Sequence, residues 1–273
     1  MTTGKYRIVA YIRCKNEEWV LEKWLARTAV FVDAIVALDD ASTDKTHEIL
    51  RSHPKVIRLF RNPDQGGRWC QVRDLNRLLT EAKRLNPEWL YFSDADELAD
   101  ARLVGRLDEL LADATVGQYL FREITLWRST SHYRVDRPDK YMRIHPENIA
   151  LIRNVPSLRW ECVRPYHKQL YGAIRSWLRG KRYNFLRYPG THDRRFVGVV
   201  GRVVELHDLV KLHYHFANWE YAWRKQIRFT LNQVLAHTGY SMRDIDYLVD
   251  FCCHRMDETG LKLAPVDPSW GVL

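Results

Sequence analysis

The sequence of 273 residues contains few cysteines and no long apolar run. None of its apolar runs reaches the ~18 residues that would predict a transmembrane helix. The first residues, MTTGKYRIVA, include no apolar segment that ends in small residues, so a signal peptide is not predicted. The five cysteines are odd in number and form no CxxC pair, which argues against a zinc site and favours reduced thiols. We therefore expect a cytoplasmic protein.

Positive charge is concentrated in the middle of the chain. The 43 lysines and arginines exceed the 34 aspartates and glutamates, which gives a net charge of +9. Residues 122–228 carry a net charge of +13, whereas residues 1–121 carry −1 and residues 229–273 carry −3. A solvated surface is the more common reason for such a basic stretch. Tryptophans and tyrosines interleave this one, however, and they also suit a sugar, a phosphate or a membrane surface.

Strand and helix patterns alternate over the first 125 residues. The pattern predicts strands over residues 6–12, 34–38, 56–60, 89–92 and 118–124. It predicts helices over residues 16–29, 43–52, 69–86 and 100–113, with Ser42 and Asp100 as N-caps. Such alternation indicates a mostly parallel sheet with helices on both faces, and ligands bind such sheets at the carboxyl ends of the strands. Beyond residue 125 the pattern is less regular, with a strand near 203–215 and helices over 219–237 and 242–257.

Two acidic clusters follow predicted strands. Asp39 and Asp40 come directly after the second strand, and Asp94 and Asp96 come after the fourth. Carboxylates two residues apart suit a hard divalent cation that keeps phosphate oxygens as its other ligands. The carboxylates of Asp39 and Asp40 are suited to accept hydrogen bonds from a nucleobase or a ribose. The alternative for each cluster is an acidic loop that caps the next helix.

Three segments together resemble the family 2 glycosyltransferases. They are Lys15-Asn16-Glu17-Glu18, the segment DDASTDKT at 39–46, and Asp94-Ala95-Asp96-Glu97. The resemblance covers residues 5–125 and implies the GT-A fold, a Rossmann-like nucleotide-diphospho-sugar transferase fold. It also implies an inverting transfer of a sugar from a nucleotide-diphosphate donor, with Mn²⁺ or Mg²⁺ on the diphosphate.

The resemblance assigns roles to individual residues. It implies that Asp39 and Asp40 contact the base or ribose, with Arg13 beside them. It implies that Asp94 and Asp96 hold the metal on the donor diphosphate. The matched turn also places donor-binding residues at Asn16 and Glu17. Residues Arg73–Asn76 resemble the arginine and asparagine that precede the DxD strand in that family, which places another donor-binding residue at Arg73.

Three further expectations concern the late metal ligand, the base and a turn. His213 is the first candidate for a histidine that completes the metal site and His215 the second, although a lone histidine is more often structural. Glu161 and Asp193 are the candidates for the carboxylate base, and each is equally well explained as an ion pair with nearby arginines. Ala41 stands where the family often has glycine. Because alanine disfavours a left-handed backbone, we expect the local turn to differ.

The expected domain organisation follows from the same resemblance. Residues 1–125 would form the nucleotide-sugar-binding half, residues 126–218 the acceptor-binding half, and residues 219–273 a helical C-terminal extension. We expect a UDP-linked sugar as donor and a glycan or lipid-linked acceptor, as in polysaccharide biosynthesis. The basic stretch would suit a phosphorylated acceptor or peripheral contact with an anionic membrane surface.

Other functions fit the sequence less well. A nucleotidyltransferase would carry a glycine-rich loop after the first strand, where this chain has Arg13-Cys14-Lys15-Asn16-Glu17. A phosphatase with an aspartyl nucleophile would carry its DxD after the first strand. A nucleic-acid-binding protein would suit the basic stretch, but no helix-turn-helix, zinc finger or RNP-like segment is present. We therefore expect no nucleic-acid partner.

Overall fold

The computed structural model describes residues 6–64, 71–144, 149–162, 194–235, 253 and 256–273. Strands and helices alternate in the first half in the predicted order. They are β1 (Ile8–Cys14), α1 (Glu18–Thr28), β2 (Ala34–Asp39), α2 (Thr46–Ser52), β3 (Val56–Arg61), α3 (Gln71–Lys83), β4 (Trp89–Phe92), β5 (Glu97–Ala99), α4 (Leu103–Ala112) and β6 (Val116–Trp127). The short strand β5 was not predicted, because it lies inside the acidic segment after β4.

The second half contains more strands than helices. Its elements are β7 (His132–Arg134), α5 (Pro138–Tyr141), β8 (Ile149–Arg153), β9 (Arg159–Cys162), β10 (Arg194–Val197), β11 (Arg202–Phe216), α6 (Trp219–Leu235) and β12 (Leu263–Pro265), followed by a 3₁₀ turn at Pro268–Trp270. The long strand β11 confirms the strand predicted near 203–215, and α6 confirms the helix predicted over 219–237. The helix predicted over 242–257 lies almost wholly outside the described residues.

The central sheet mixes parallel and antiparallel strand pairs. Strands β3, β2, β1 and β4 are parallel neighbours in that order. Strand β8 then lies antiparallel between β4 and β6, and β11 pairs parallel with β6 and antiparallel with β5. The expectation of a mostly parallel sheet is thus corrected for the second half. Parallel neighbours need a long crossover connection, whereas antiparallel neighbours can follow a short one, such as residues 128–131 between β6 and β7.

The sheet buries different side chains on its two faces. In β1 the residues Ile8, Ala10 and Ile12 pack on the side of α1, whereas Val9 and Tyr11 pack on the side of α3. This alternation is the period of two of a strand, and it explains why β1 is apolar throughout. Each large aliphatic side chain buried in this way contributes roughly 1.5–3 kcal/mol. The prediction of helices on both faces is confirmed.

Two predicted helix caps are wrong. Helix α2 begins at Thr46, with Lys45 at the cap position and no side-chain cap. The backbone N–H of Ser42 donates to Asp39 Oδ1 over 2.9 Å, and the Ser42 hydroxyl accepts from the backbone N–H of Asn16 over 2.9 Å. Ser42 therefore joins the loops after β1 and β2 instead of capping a helix.

The second wrong cap is Asp100, because α4 begins at Leu103 with Arg102 at the cap position. The Asp100 carboxylate accepts from the backbone N–H of Arg102 over 2.9 Å and from that of Val210 over 3.2 Å. It joins the start of α4 to β11.

A separate apolar cluster ties the last part of the chain to the sheet. It contains Trp127, Tyr141, Phe216, Ala222 and Met256, which come from β6, α5, β11, α6 and the segment after it. Among the described residues, no helix is both long and apolar enough to cross a membrane.

Candidate functional site

The two acidic clusters lie at the same edge of the sheet. Asp39 ends β2 opposite Cys14, the last residue of β1. Phe92 ends β4 opposite Tyr11 of β1, so the acidic segment that begins at Asp94 leaves the sheet at this edge too. The predicted placement of both clusters at the carboxyl ends of the strands is confirmed.

Asp40 is buried and accepts from two side chains, Arg13 of β1 and Asn62 just after β3. The Arg13 guanidinium forms an ion pair with Asp40 Oδ2, and its Nε lies 3.2 Å from Asp74 Oδ2. The side-chain amide of Asn62 donates to Asp40 Oδ1 over 2.8 Å and to Asp74 Oδ2 over 3.1 Å. Arg73, predicted to face donor phosphates, pairs with Asp74 over 3.0 Å and is half exposed. One network therefore joins β1, β3 and α3 around Asp40.

Asp39 is completely buried. Its Oδ2 lies 3.2 Å from His47 Nδ1 and 3.2 Å from Arg61 Nε. Neither contact is aligned as a hydrogen bond, so within the described part of the chain this oxygen has no hydrogen-bond partner. Asp39 is therefore shielded from solvent, whereas the Arg61 side chain beside it is half exposed.

The loops after β1 and β2 interlock through two residues with left-handed backbones. Asn16 has a φ of 55° and Ala41 a φ of 54°. The side-chain oxygen of Asn16 accepts from the backbone N–H of Thr43 over 2.7 Å. Alanine thus adopts the conformation that glycine would adopt with less strain, and the expected change of the turn at Ala41 is wrong.

Asp94 contacts the two-stranded antiparallel sheet formed by β9 and β10. Arg194 donates to Asp94 Oδ2 over 2.7 Å, and its guanidinium lies 5.2 Å from the ring centre of Phe92 and 5.4 Å from that of Trp160. Burial raises the pKa of Asp94, but Arg194 outweighs burial, and the net result is a lowered pKa. Asp94 is therefore an anion that Arg194 positions.

Asp96 lies beside both histidines of β11. Asp96 Oδ2 is 3.5 Å from His213 Nε2 and 3.5 Å from His215 Nδ1. Residues two apart on a strand share a face, so the two rings were predicted to point the same way, and they do. Asp94, which we expected beside Asp96 in the metal site, does not belong to this group of three.

The two histidines differ in protonation. Burial lowers the pKa of His215 to about 4, so its ring is neutral at pH 7. Burial also disfavours the charged form of His213, but Glu123 and Asp96 outweigh it and raise the pKa of His213 well above its usual range. Glu123 Oε1 lies 3.0 Å from His213 Nδ1, which leaves Nε2 of that ring facing Asp96.

The chemistry of this group of three fits a divalent cation. One carboxylate oxygen and one nitrogen from each ring lie within 4.8 Å of one another. A mixed set of oxygen and imidazole ligands suits Mn²⁺ better than Mg²⁺, which prefers oxygen and retains its waters. Asp96, His213 and His215 are therefore the residues that would hold such a cation.

A lysine from α6 also reaches this cluster. Lys225 Nζ lies 2.8 Å from Asp96 Oδ2 and 2.8 Å from Glu17 Oε1. Burial raises the pKa of Asp96, but the Lys225 ammonium and the histidines outweigh burial and hold that pKa well below its usual range. Glu17, predicted in the donor site, thus lies next to the candidate metal site.

Of the two candidates for the catalytic base, Glu161 lies within the described residues. Glu161 lies on β9 between Arg159, at 2.7 Å, and Arg195, at 2.9 Å. These two arginines lower its pKa. Because side chains alternate along a strand, Glu161 points away from the face on which Trp160 packs against Phe92. Asp193 lies outside the described residues.

Several site residues were missed from the sequence. Asn62 contacts Asp40, and Asp74 accepts from the same Asn62 amide. Glu123 contacts His213, and Lys225 contacts Asp96. Only Asp74 carried a signal, because it lies inside the segment Arg73–Asn76 that resembles the family. The other three are single polar residues in ordinary strand, loop and helix sequence.

Comparisons with known proteins identify the family. The model of glycosyl transferase family 2 matches residues 10–175. Over 98 residues the chain is 38% identical to the uncharacterized proteins Mb3815c of Mycobacterium bovis and Rv3786c of Mycobacterium tuberculosis. The match covers 34% of this chain and 24% of each relative, so the chain matches about a quarter of their length.

Two solved structures of low sequence identity are similar to this chain. S. aureus TarS is 14% identical with a TM-score of 0.48, and the match covers 91% of this chain and 43% of that one. The mannosyltransferase PcManGT from Pyrobaculum calidifontis, in complex with GDP-Man and Mn²⁺, is 15% identical with a TM-score of 0.40, and the match covers 92% of this chain and 70% of that one. The family match spans more than half of the 273 residues and confirms the resemblance. This chain belongs to glycosyl transferase family 2 and has the GT-A fold expected of it.

Proposed function

We propose that this protein transfers a sugar from a nucleotide-diphosphate donor to a hydroxyl group, with inversion and with the help of a divalent cation. The observation that carries the proposal is the meeting of two clusters at one edge of the sheet. One is the network around Asp40, and the other is the group of Asp96, His213 and His215. The first suits a nucleoside and the second a cation on a diphosphate.

The first cluster combines buried acids with accessible cations. Asp39 and Asp40 are buried, whereas Lys15, Arg61 and Arg73 beside them have side chains that are 34%, 51% and 54% exposed. Such cations attract an anionic diphosphate. A base or ribose would bind at Asp40 by taking a hydrogen bond now made by Arg13 or Asn62. Asn16 would act by holding the turn in shape.

The second cluster would hold the donor diphosphate through the cation. A bound divalent cation stabilises negative charge on the leaving diphosphate. The residues of this chain would do the rest: Asp96 and the two histidines bind the cation, and Glu123 orients the ring of His213. Asp94 as a further metal ligand stays a prediction, because Arg194 now holds its carboxylate.

Inversion requires a base that removes the proton from the acceptor hydroxyl. A carboxylate paired with two arginines is a weak base, and Glu161 also faces away from Asp94 and Phe92. We therefore favour Asp193 as the base. We propose a glycan or lipid-linked acceptor on the side of residues 126–218, as the basic stretch suggests.

A ligand screen by thermal unfolding tests this function. UDP-linked and GDP-linked sugars would be added with and without Mn²⁺ to the wild type and to Asp96→Asn. A donor at 100 times its Kd stabilises the fold by about 2.7 kcal/mol, which corresponds to roughly 5–10 °C in Tm. We expect this shift only with Mn²⁺ and only in the wild type. Asp208→Asn, which changes an exposed carboxylate of β11, serves as the matched control.

Two results would contradict the proposal. One is a screen in which no nucleotide sugar raises Tm under either condition. The other is binding of single-stranded nucleic acid that weakens steeply with salt in a protein that binds no nucleotide sugar, which would favour the alternative function.

A further inference from the structure

Lys225 makes two close contacts with carboxylates at the candidate metal site. Its Nζ lies 2.8 Å from Asp96 Oδ2 and 2.8 Å from Glu17 Oε1. The side chain of Lys225 is 27% exposed, whereas those of Asp96 and Glu17 are 7% and 9% exposed. The lysine therefore reaches from the surface of α6 into a largely buried pair of acids.

The contact with Asp96 involves the oxygen that a cation would need. Asp96 Oδ2 is the atom that faces His213 Nε2 and His215 Nδ1, each at 3.5 Å. A cation held by this group of three would share that oxygen with the Lys225 ammonium. Two like charges on one buried oxygen repel each other strongly, because little water separates them.

The helix that carries Lys225 is fixed to the loop after β1. Tyr221, one turn earlier on α6, donates through its hydroxyl to the carbonyl oxygen of Asn16 over 2.5 Å and to Glu17 Oε2 over 3.1 Å. Its ring lies 4.3 Å from the ring of Trp19, centre to centre. The helix therefore stays in place when the lysine side chain moves. Glu17 provides a second anion that retains the ammonium near the site.

We propose that Lys225 neutralises Asp96 until a divalent cation and the donor bind, and that its ammonium then turns to the donor diphosphate. The lysine lowers the affinity of the site for the cation when the cation binds alone. It no longer does so when a diphosphate is present to pair with the ammonium. Cation and nucleoside diphosphate therefore bind with positive coupling. This inference rests on the proposed function, since it uses the same site and a diphosphate ligand.

Lys225→Met tests the inference, because methionine keeps a flexible side chain without the charge. Free Mn²⁺ is followed by its electron paramagnetic resonance signal, first with Mn²⁺ alone and then with UDP or GDP present. We expect the affinity for Mn²⁺ alone to rise at least tenfold in the variant. We also expect the gain in Mn²⁺ affinity that the nucleotide provides to shrink by a similar factor.

Two further variants serve as controls. Arg224→Met removes one positive charge from the neighbouring position of α6, where the side chain is 71% exposed and pairs with Glu220. It should leave Mn²⁺ affinity and coupling unchanged. Lys225→Arg keeps the positive charge and should bind Mn²⁺ alone with an affinity near that of the wild type. If Lys225→Met acted only by disturbing the structure, this dependence on charge would not be expected.

The outcomes separate this inference from the proposed function. Unchanged or weaker binding of Mn²⁺ alone in Lys225→Met overturns the inference, and so does the absence of Mn²⁺ binding in both proteins. If Lys225→Met binds Mn²⁺ more tightly but no nucleotide binds to either protein, the proposed function fails. In that case Lys225 still competes with the cation for Asp96, but the proposed movement of its ammonium to a donor diphosphate is refuted.

Discussion

Replacing the buried Arg134 by methionine tests how the last part of the chain is held to the sheet. The Arg134 side chain is fully buried, and it donates to Asp136 over 2.8 Å and 2.9 Å and to the carbonyl oxygen of Asp257 over 2.6 Å. Its guanidinium also lies 4.4 Å from the ring centre of Trp127 and 4.8 Å from that of Tyr141. Removing it leaves the Asp136 carboxylate without its main partner.

The expected cost follows from that geometry. Breaking a buried ion pair by removing one partner costs about 3–5 kcal/mol, and a chain of this size loses roughly 2–4 °C of Tm per kcal/mol. Unfolding in urea gives the free energy, and thermal unfolding gives Tm. Arg202→Met is the matched control, because Arg202 makes an exposed pair with Asp113 over 2.9 Å, and such pairs contribute about 0–1 kcal/mol.

The result that would refute this reasoning is an Arg134→Met variant that loses no more stability than Arg202→Met. A double variant, Arg134→Met with Asp136→Leu, supplies a second test. The double variant should regain part of the free energy of unfolding that Arg134→Met loses, because it also removes the unpaired carboxylate.

Three further predictions concern the site itself. Ala41→Gly should raise Tm by about 1–3 °C. Glycine avoids the cost of roughly 1–2 kcal/mol that alanine bears at the left-handed φ of 54°, but its greater entropy in the unfolded chain offsets roughly 0.5–1 kcal/mol of that gain; a lower Tm would contradict this. Asp40→Asn should weaken nucleotide binding by about 10–100-fold, the value of a charge-assisted hydrogen bond, and leave Mn²⁺ binding intact in calorimetric titrations. Asp193→Asn should lower kcat by about 10²–10⁴-fold with donor affinity preserved, whereas Glu161→Gln should not; full activity in both would place the base elsewhere.

The parts of the site that local sequence determines were predicted well. Asp39 and Asp94 follow short apolar strands, and the strand pattern alone places them at one edge of the sheet. His213 and His215 follow the same logic, because a strand of known direction puts both rings on one face. These inferences need only the period of a strand and the order of the elements.

The parts that depend on distant packing were not predicted. Lys225 reaches Asp96 across 129 positions, and Asn62 reaches Asp40 from the end of β3. No local pattern distinguishes these residues from ordinary polar ones. The error at Ser42 has a similar origin, because Asn16, 26 positions away, competes for the serine that would cap α2. The local tendency of a serine to cap a helix does not decide its role where a residue distant in sequence forms a hydrogen bond with it instead.

The pairing of β11 with both β5 and β6 has a consequence for fragments of this protein. The family match ends at residue 175, before β11 begins. A fragment cut there would retain Asp96 but neither histidine, and it would leave the edges of β5 and β6 without their partner strand. Exposed edges of this kind invite aggregation. During synthesis both edges stay unpaired until β11 has left the ribosome, so the candidate metal site cannot assemble before that point.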